Sequence, residues 1–244
     1  MKKKAMLLGL LTSVALLGSA QAQSFTEGFE GDTTSAWTIK NNSTRNTSGD
    51  PWGLATGITD ADGNVVVNPY DGNSFASASW ASIGSGSGTI SNWLISPEIS
   101  KIQNGDVFSF YTTTTPGSEF PDRLELRLSS AGAGTNVGTT ATSVGTFSTV
   151  LTTVNSGLTA GGYPEDWTLV SVTMSGLSAP IDGRVAFRYF VTNGGPNGAN
   201  SNIIGVDNFS YASVTAVPEP SAAMLSLAGL GMLVMLHRRR AARR

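Results

Sequence analysis

Arg184-Val185-Ala186-Phe187-Arg188-Tyr189-Phe190-Val191 decides the reading of this chain. Val185, Phe187, Tyr189 and Val191 fall on one face of a period-two pattern. The opposite face holds Ala186, Arg188 and Phe190, so neither face is plainly solvent-facing. A strand apolar on both sides belongs in the middle of a covered sheet. Working outward, Leu124, Leu126 and Leu128 alternate with Arg123, Glu125 and Arg127. Val170, Val172 and Met174 repeat the pattern, and the pairs Phe108 with Phe110, Trp93 with Ile95, and Ile204 with Val206 mark further strands.

Turn signals separate these runs: Asp62-Gly63-Asn64, Asp71-Gly72-Asn73, Asn104-Gly105, Asp182-Gly183 and Asn193-Gly194-Gly195-Pro196. Ser and Thr supply 52 of the 194 residues from Gln23 to Ala216, a composition that favours strands and turns over helices. No long stretch has helical periodicity. The expected fold is all-β: a two-sheet antiparallel jelly-roll sandwich of about nine strands, flanked by an N-terminal signal helix and a C-terminal transmembrane helix. The Gly/Thr/Ala-rich stretch from Ala131 to Thr146 reads as a long surface loop.

The 244-residue chain has a formal charge of −2, unevenly spread. From 23 to 216, seven basic groups face sixteen acidic ones, giving −9. There is no Cys, and the single His is His237. Disulfides, thiol nucleophiles and Cys-ligated metals are therefore excluded, as is a Ser-His-Asp triad within the middle segment. The acidic balance argues against a nucleic-acid partner.

The positive charge sits at the ends. Lys2, Lys3 and Lys4 precede an apolar run from Ala5 to Leu17, and Ala20-Gln21-Ala22 fits the small-x-small rule. Residues 1–22 thus read as a secretory signal cleaved after Ala22, with Ala20 and Ala22 as the recognition pair. At the other end Val217-Pro218-Glu219-Pro220 is followed by an apolar segment, 222–236, and an Arg-rich tail, 238–244. Fifteen residues of helix span roughly 22 Å, short of the ~30 Å hydrocarbon core. Arg238, Arg239 and Arg240 would stop transfer at the cytoplasmic face. Residues 214–244 resemble the PEP-CTERM sorting signal of Gram-negative bacteria. The resemblance implies transient inner-membrane anchoring and processing by an exosortase.

Several motifs in the middle recur in a recognisable order. Phe29-Glu30 and Trp37 come first, then Ser91-Asn92-Trp93-Leu94-Ile95-Ser96-Pro97 and Phe108-Ser109-Phe110-Tyr111. Phe120-Pro121-Asp122 runs into the Leu124 alternation, and Gly162-Tyr163-Pro164, Trp167, Arg188-Tyr189-Phe190 and Gly205-Val206-Asp207 follow. Residues 23–213 resemble the choice-of-anchor J domain, related to cleaved-adhesin and MAM-like jelly rolls. The resemblance implies an extracellular module without catalytic activity.

It also implies a structural calcium ion near the joined termini, held by Glu30 and Asp207, with Asp32 a further ligand. The residues point the same way, since an Asp inside an apolar strand needs its charge paired. Asp60-Ala61-Asp62-Gly63-Asn64 looks like part of an EF-hand loop, but its sixth position is Val65 and no helices flank it, so a plain Asp-Gly turn is expected. Trp52 and Trp80, in Gly/Ser-rich surroundings, are the candidates for stacking on sugars. Trp37, Trp93 and Trp167 read as core. The expected function is an exported, non-enzymatic surface or extracellular-matrix protein with an adhesin-like domain that contacts exopolysaccharide or other surface glycans. The alternative is a calcium-dependent, lectin-like carbohydrate-binding module, with a secreted glycoside hydrolase behind it.

Overall fold

The computed structural model describes residues 24–31, 36–60 and 62–214. All belong to one compact unit. The expected signal peptide with Ala20 and Ala22, the sorting motif Val217 to Pro220, the helix 222–236 and Arg238, Arg239 and Arg240 lie outside the described residues, as does Asp32. Among the described residues no helix is long and apolar enough to cross a membrane.

In chain order the strands are β1 (Ser24–Glu27), β2 (Thr38–Asn41), β3 (Gly53–Ala55), β4 (Ile58–Thr59), β5 (Val65–Val67), β6 (Phe75–Ser79) and β7 (Gly88–Ile95). Then come β8 (Ile99–Ile102), β9 (Val107–Thr114), β10 (Leu124–Ser129), β11 (Thr149–Val154), β12 (Thr168–Thr173), β13 (Ile181–Gly194) and β14 (Ile203–Ala212). One sheet runs β12-β9-β14-β6-β3, with β1 beside β14. The other runs β11-β10-β13-β7-β2, with β8 beside β13, while β4 and β5 form a separate hairpin. Every pairing is antiparallel. The result is the all-β sandwich that the alternation predicts. The count is fourteen, because strands as short as β3, β4 and β5 leave no periodic trace.

The core lies between the sheets. Leu124, Leu126, Val185, Phe187, Tyr189 and Val191 from the second sheet meet Phe108, Phe110, Ile204, Val206 and Phe209 from the first. Phe187 is the aromatic hub. Its ring lies 4.8 Å from Phe110 and 5.7 Å from Phe209 edge-on, and 6.1 Å from Trp37 in a stacked arrangement. As the two-sided apolar pattern requires, β13 is central.

The other face of β13 explains its Arg188. The stretch read as a surface loop, 131–146, instead folds back over the outer face of the second sheet. Val137 and Phe147 pack there against Trp93, Ile95 and Ala186 in a second apolar cluster. The strap has little side-chain volume of its own, so polar bonds fasten it. The Lys40 ammonium donates to the Thr135 carbonyl at 2.6 Å, Asn42 to Gly138 at 2.9 Å, and Arg188 Nη2 to Ala141 at 2.7 Å. Arg188 is only 1% exposed. Its guanidinium lies 3.7 Å from the Phe190 ring centroid and 4.9 Å from Trp93, and it pairs with Glu125 at 3.2 Å. Glu125 also pairs with Arg127 at 2.6 Å. A sequence rich in Gly and Thr reads as solvated because its few apolar residues show no period. Here Val137 within it and Phe147 just past its end are enough to anchor it.

Candidate functional site: an aromatic cleft and a carboxylate junction

The cleft is built at one end of β6 and β14. β6 ends in a single 3-10 turn, Trp80–Ser82, where the Ala81 amide is capped by the Ser79 hydroxyl. The Trp80 amide donates to the Asn202 carbonyl at 2.7 Å, fixing this turn to the segment entering β14. Between β13 and β14, residues 194–202 fold on themselves. Gly198 N–H donates to the Gly195 carbonyl, Gly195 N–H to the Ser201 hydroxyl, and Asn197 N–H to the Gly86 carbonyl. Gly195 has φ +100, and a Cβ there would lie 2.8 Å from the Gly86 oxygen, so no other residue fits without rearrangement.

Trp80, Phe120, Gly195, Pro196, Gly198, Ser201 and Asn202 line a cleft of about 270 Å³. Trp80 is 44% exposed and Phe120 50%. The lining therefore combines two open aromatic side chains with peptide groups, one hydroxyl and one carboxamide. None of these residues is charged, so the cleft offers stacking surface and neutral hydrogen bonding but no acid or base. The volume sits just below the ~300 Å³ at which drug-sized pockets begin.

Beneath this cleft lies a carboxylate without a cation. Asp122 is 1% exposed. It accepts from the Tyr189 hydroxyl, from the Thr114 hydroxyl at 2.7 Å and from the Asn202 amide at 2.8 Å. Burial pushes its pKa above the ordinary 3.8, against the lowering effect of those three donors. Asn202 in turn donates from its side chain to the Ser118 hydroxyl at 2.8 Å, beside Phe120. Asp122 thus holds both sides of the cleft floor in place.

Of the two tryptophans expected to stack on sugars, only Trp80 is available. Trp52 is 2% exposed, in the main core, and its indole N–H donates to the Asn92 carbonyl at 3.0 Å. Its Gly-rich surroundings mark the short edge strand β3, which turns the ring inward. Phe120 went unrecognised as a site residue because a single aromatic between Glu119 and Pro121 carries no periodic signal. Residues 195–202 were visible only as an Asn-Gly-Gly-Pro turn. Trp37 and Trp93 are buried as expected; Trp167 is half-buried.

A second constellation joins Glu30 and Asp207. β1 pairs with β14, so the segment after β1 passes the bulge that interrupts β14 between Asp207 and Ser210. The bulge aims the Asp207 carboxylate out of the ladder. That carboxylate accepts from the amides of Asn208 at 2.7 Å, Tyr70 at 3.0 Å and Asp71 at 3.2 Å. Glu30 accepts from the amides of Asn73 and Ser74 in the same turn. Gly72 (φ +65) is required here, since a Cβ would fall 1.9 Å from a Glu30 carboxylate oxygen. Tyr70 stacks on Tyr111 at 3.6 Å, and Trp167 donates to the Asn68 carbonyl at 2.8 Å, which pins the turn to the sheet.

Burial raises the Asp207 pKa above 3.8 and the Glu30 charge adds to it, while the amide donors act the other way. The charge arrangement suits a cation. The donor count does not complete one: the described residues bring two carboxylates together, and among them no cluster of three metal-ligating acidic, His or Cys side chains occurs. Calcium takes six to eight oxygens. Asp60-Ala61-Asp62-Gly63-Asn64 caps its own hairpin: the Asp60 carboxylate accepts from the amides of Asp62 and Asn64 at 3.0 and 2.8 Å, between β4 and β5.

No family model and no curated protein matches this sequence. Solved structures do. The K1 cleaved adhesin domain of Lys-gingipain from Porphyromonas gingivalis W83 is 17% identical with a TM-score of 0.51, covering 79% of this chain and 99% of that domain. The K3 domain of the same protein is 19% identical at 0.52, with the same coverage. The CBM22-1 xylan-binding domain from Paenibacillus barcinonensis is 14% identical at 0.42, covering 79% of this chain and 95% of that one. At these identities the likeness to the two adhesin domains is one of fold.

Proposed function

We propose that this chain is an exported, non-enzymatic protein of the cell surface or extracellular matrix, and that its sandwich holds neutral glycan chains in the Trp80–Phe120 cleft. One observation carries the glycan reading. Two exposed aromatic side chains flank a cleft whose other lining groups are peptide, hydroxyl and carboxamide. Sugars present C–H faces to aromatic rings and hydroxyls to such neutral partners. The uncharged lining favours binding over hydrolysis, which needs paired carboxylates beside the ligand. The expected test is a glycan array probed with the full chain and with Trp80→Ala. Loss of one stacking ring should weaken binding about tenfold, or ~1.4 kcal/mol. An unchanged array profile would remove the cleft from this role.

Delivery rests on the sequence ends. The signal peptide would take the protein across the inner membrane, and the Val217-Pro218-Glu219-Pro220 motif would present it to an exosortase for release. Deleting the exosortase in the native host should change the mass and location of the protein; no change in either would refute the sorting scheme. Calcium at the Glu30–Asp207 junction is a further part of the proposal. Its support is a pair of carboxylates with no Lys or Arg within salt-bridge distance among the described residues. Asp32 and backbone carbonyls would complete the shell. Melting of the full chain should shift upward with Ca²⁺ and fall back with EGTA; identical curves would end the calcium reading.

A further inference from the structure

A sandwich with open edges must keep those edges from pairing with other chains, and of the four strands that end its two main sheet paths three are protected. β3 has only three residues. β2 has four, one of them Lys40, which is tied to the strap over the second sheet. β11 is interrupted by a register shift against β10 at Leu126/Arg127. β12 has none of these devices. Its six residues, Thr168-Leu169-Val170-Ser171-Val172-Thr173, carry no charge, and four of the six are β-branched. Its register with β9 is unbroken, from Thr168 opposite Thr112 to Thr173 opposite Val107. Among the described residues nothing pairs with its other side. Leu169 is 53% exposed, the second-highest value among the exposed large hydrophobic residues after Val65.

We propose that β12 is an assembly edge that pairs antiparallel with β12 of a second copy, joining the two β12-bearing sheets into one continuous sheet. Val170 and Val172 point into the sandwich, while Leu169, Ser171 and Thr173 point out. Residues opposed across an antiparallel pair share a face. A two-fold axis at Ser171 therefore sets Val170 against Val172 on the inner face and Leu169 against Thr173 on the outer. The apolar side chain of Leu169 is then covered.

Glu165 and Asp166, just before the strand, fall opposite Leu177 and Gly176 of the second copy, so no carboxylate meets another. A basic or acidic partner strand would gain nothing from an edge without charge; an identical uncharged strand meets no penalty. Each copy carries −9 between residues 23 and 216. This net repulsion should weaken pairing at low salt and relax as salt screens it. The inference is independent of the glycan cleft, which lies on other elements.

The test is sedimentation of the full chain in detergent across a dilution series. The wild type should dimerise, more tightly at high salt. Ser171→Lys, an exposed position, should abolish the dimer with the fold intact by circular dichroism, whereas Leu54→Lys on the exposed edge strand β3 should leave it unchanged. The chain has no cysteine, so Ser171→Cys supplies a single thiol. Across the proposed axis the two Cα atoms would lie about 4.5–5.5 Å apart, within disulfide reach. Mild oxidation should then give a cross-linked dimer. A monomer at every concentration, a dimer that survives Ser171→Lys, or a Ser171→Cys variant that does not cross-link would each overturn the proposal.

Discussion

Two buried acidic sites in this sandwich solve the same problem in opposite ways. Glu125, on the strap-covered face of the second sheet, is neutralised by Arg127 and Arg188. Asp122, beneath the cleft, has only hydroxyl and amide donors. For Glu125, burial pushes the pKa up, but the hydrogen bonds and charges of the two arginines outweigh it and leave it below 4.5. For Asp122, burial wins and the pKa lies above 3.8. Burial also pulls Arg188 down to about 10, against the attraction of Glu125. A charge set into a sheet face needs a counter-charge once something covers that face. A carboxylate at the base of a loop can be satisfied by the loop's own donors, and it fixes the loop in doing so.

Arg188→Ala tests the covered site most severely. It leaves Glu125 part-paired under the strap and removes contact with Trp93 and Phe190. Loss of about 3–5 kcal/mol is expected in urea unfolding. Replacing Glu125 with Gln and Arg188 with Met together should cost less, because the one charge left without its partner is Arg127, which is part-exposed and still donates to the Phe147 carbonyl. Phe147→Ala should cost about 3 kcal/mol, through the cavity left under the strap. A cost under ~0.5 kcal/mol would mean that the strap is not packed as described.

Asp122→Asn should be milder, about 1–2 kcal/mol, since the carboxamide keeps one acceptor for Tyr189 and Asn202. The bond lost is the one from the Thr114 hydroxyl, so glycan binding in the cleft should weaken less than in Trp80→Ala.

The smallest effects are in pH dependence, and their signs differ. Glu125 has a depressed folded pKa, so its contribution is present above 4.5 and is lost as pH falls through the folded value. Asp122 has a raised folded pKa, so its contribution is present below 3.8 and is lost as pH rises through the folded value. Stability relative to wild type, measured for Glu125→Gln and Asp122→Asn between pH 3 and 7, should therefore trend in opposite directions. Parallel trends would contradict the contrast between the two sites.

The strands were legible where alternation was long enough. β10, β12 and β13 could be placed from Leu124, Val170 and Val185 onward, and the centrality of β13 followed from its two apolar faces. The cleft was half legible. Trp80 stood out as an aromatic in a Gly/Ser context, but the same reasoning chose Trp52, which the sheet buries. Local composition distinguishes a strand from a turn. It does not say which side of the next strand a ring will fall on.

Composition and order alone determined the all-β class, the absence of thiol chemistry from the chain and of histidine chemistry from its middle segment, and the division of charge into an acidic middle and basic ends. These depend on residue identity or on neighbours a few positions apart. Tertiary structure alone decided that 131–146 is a cover instead of a free loop, that Phe120 shares a cleft with Trp80, and that β12 is the unguarded edge. Each depends on contacts or sheet order between segments tens of residues apart. Those are fixed by the packing of the whole core, and no local pattern encodes them.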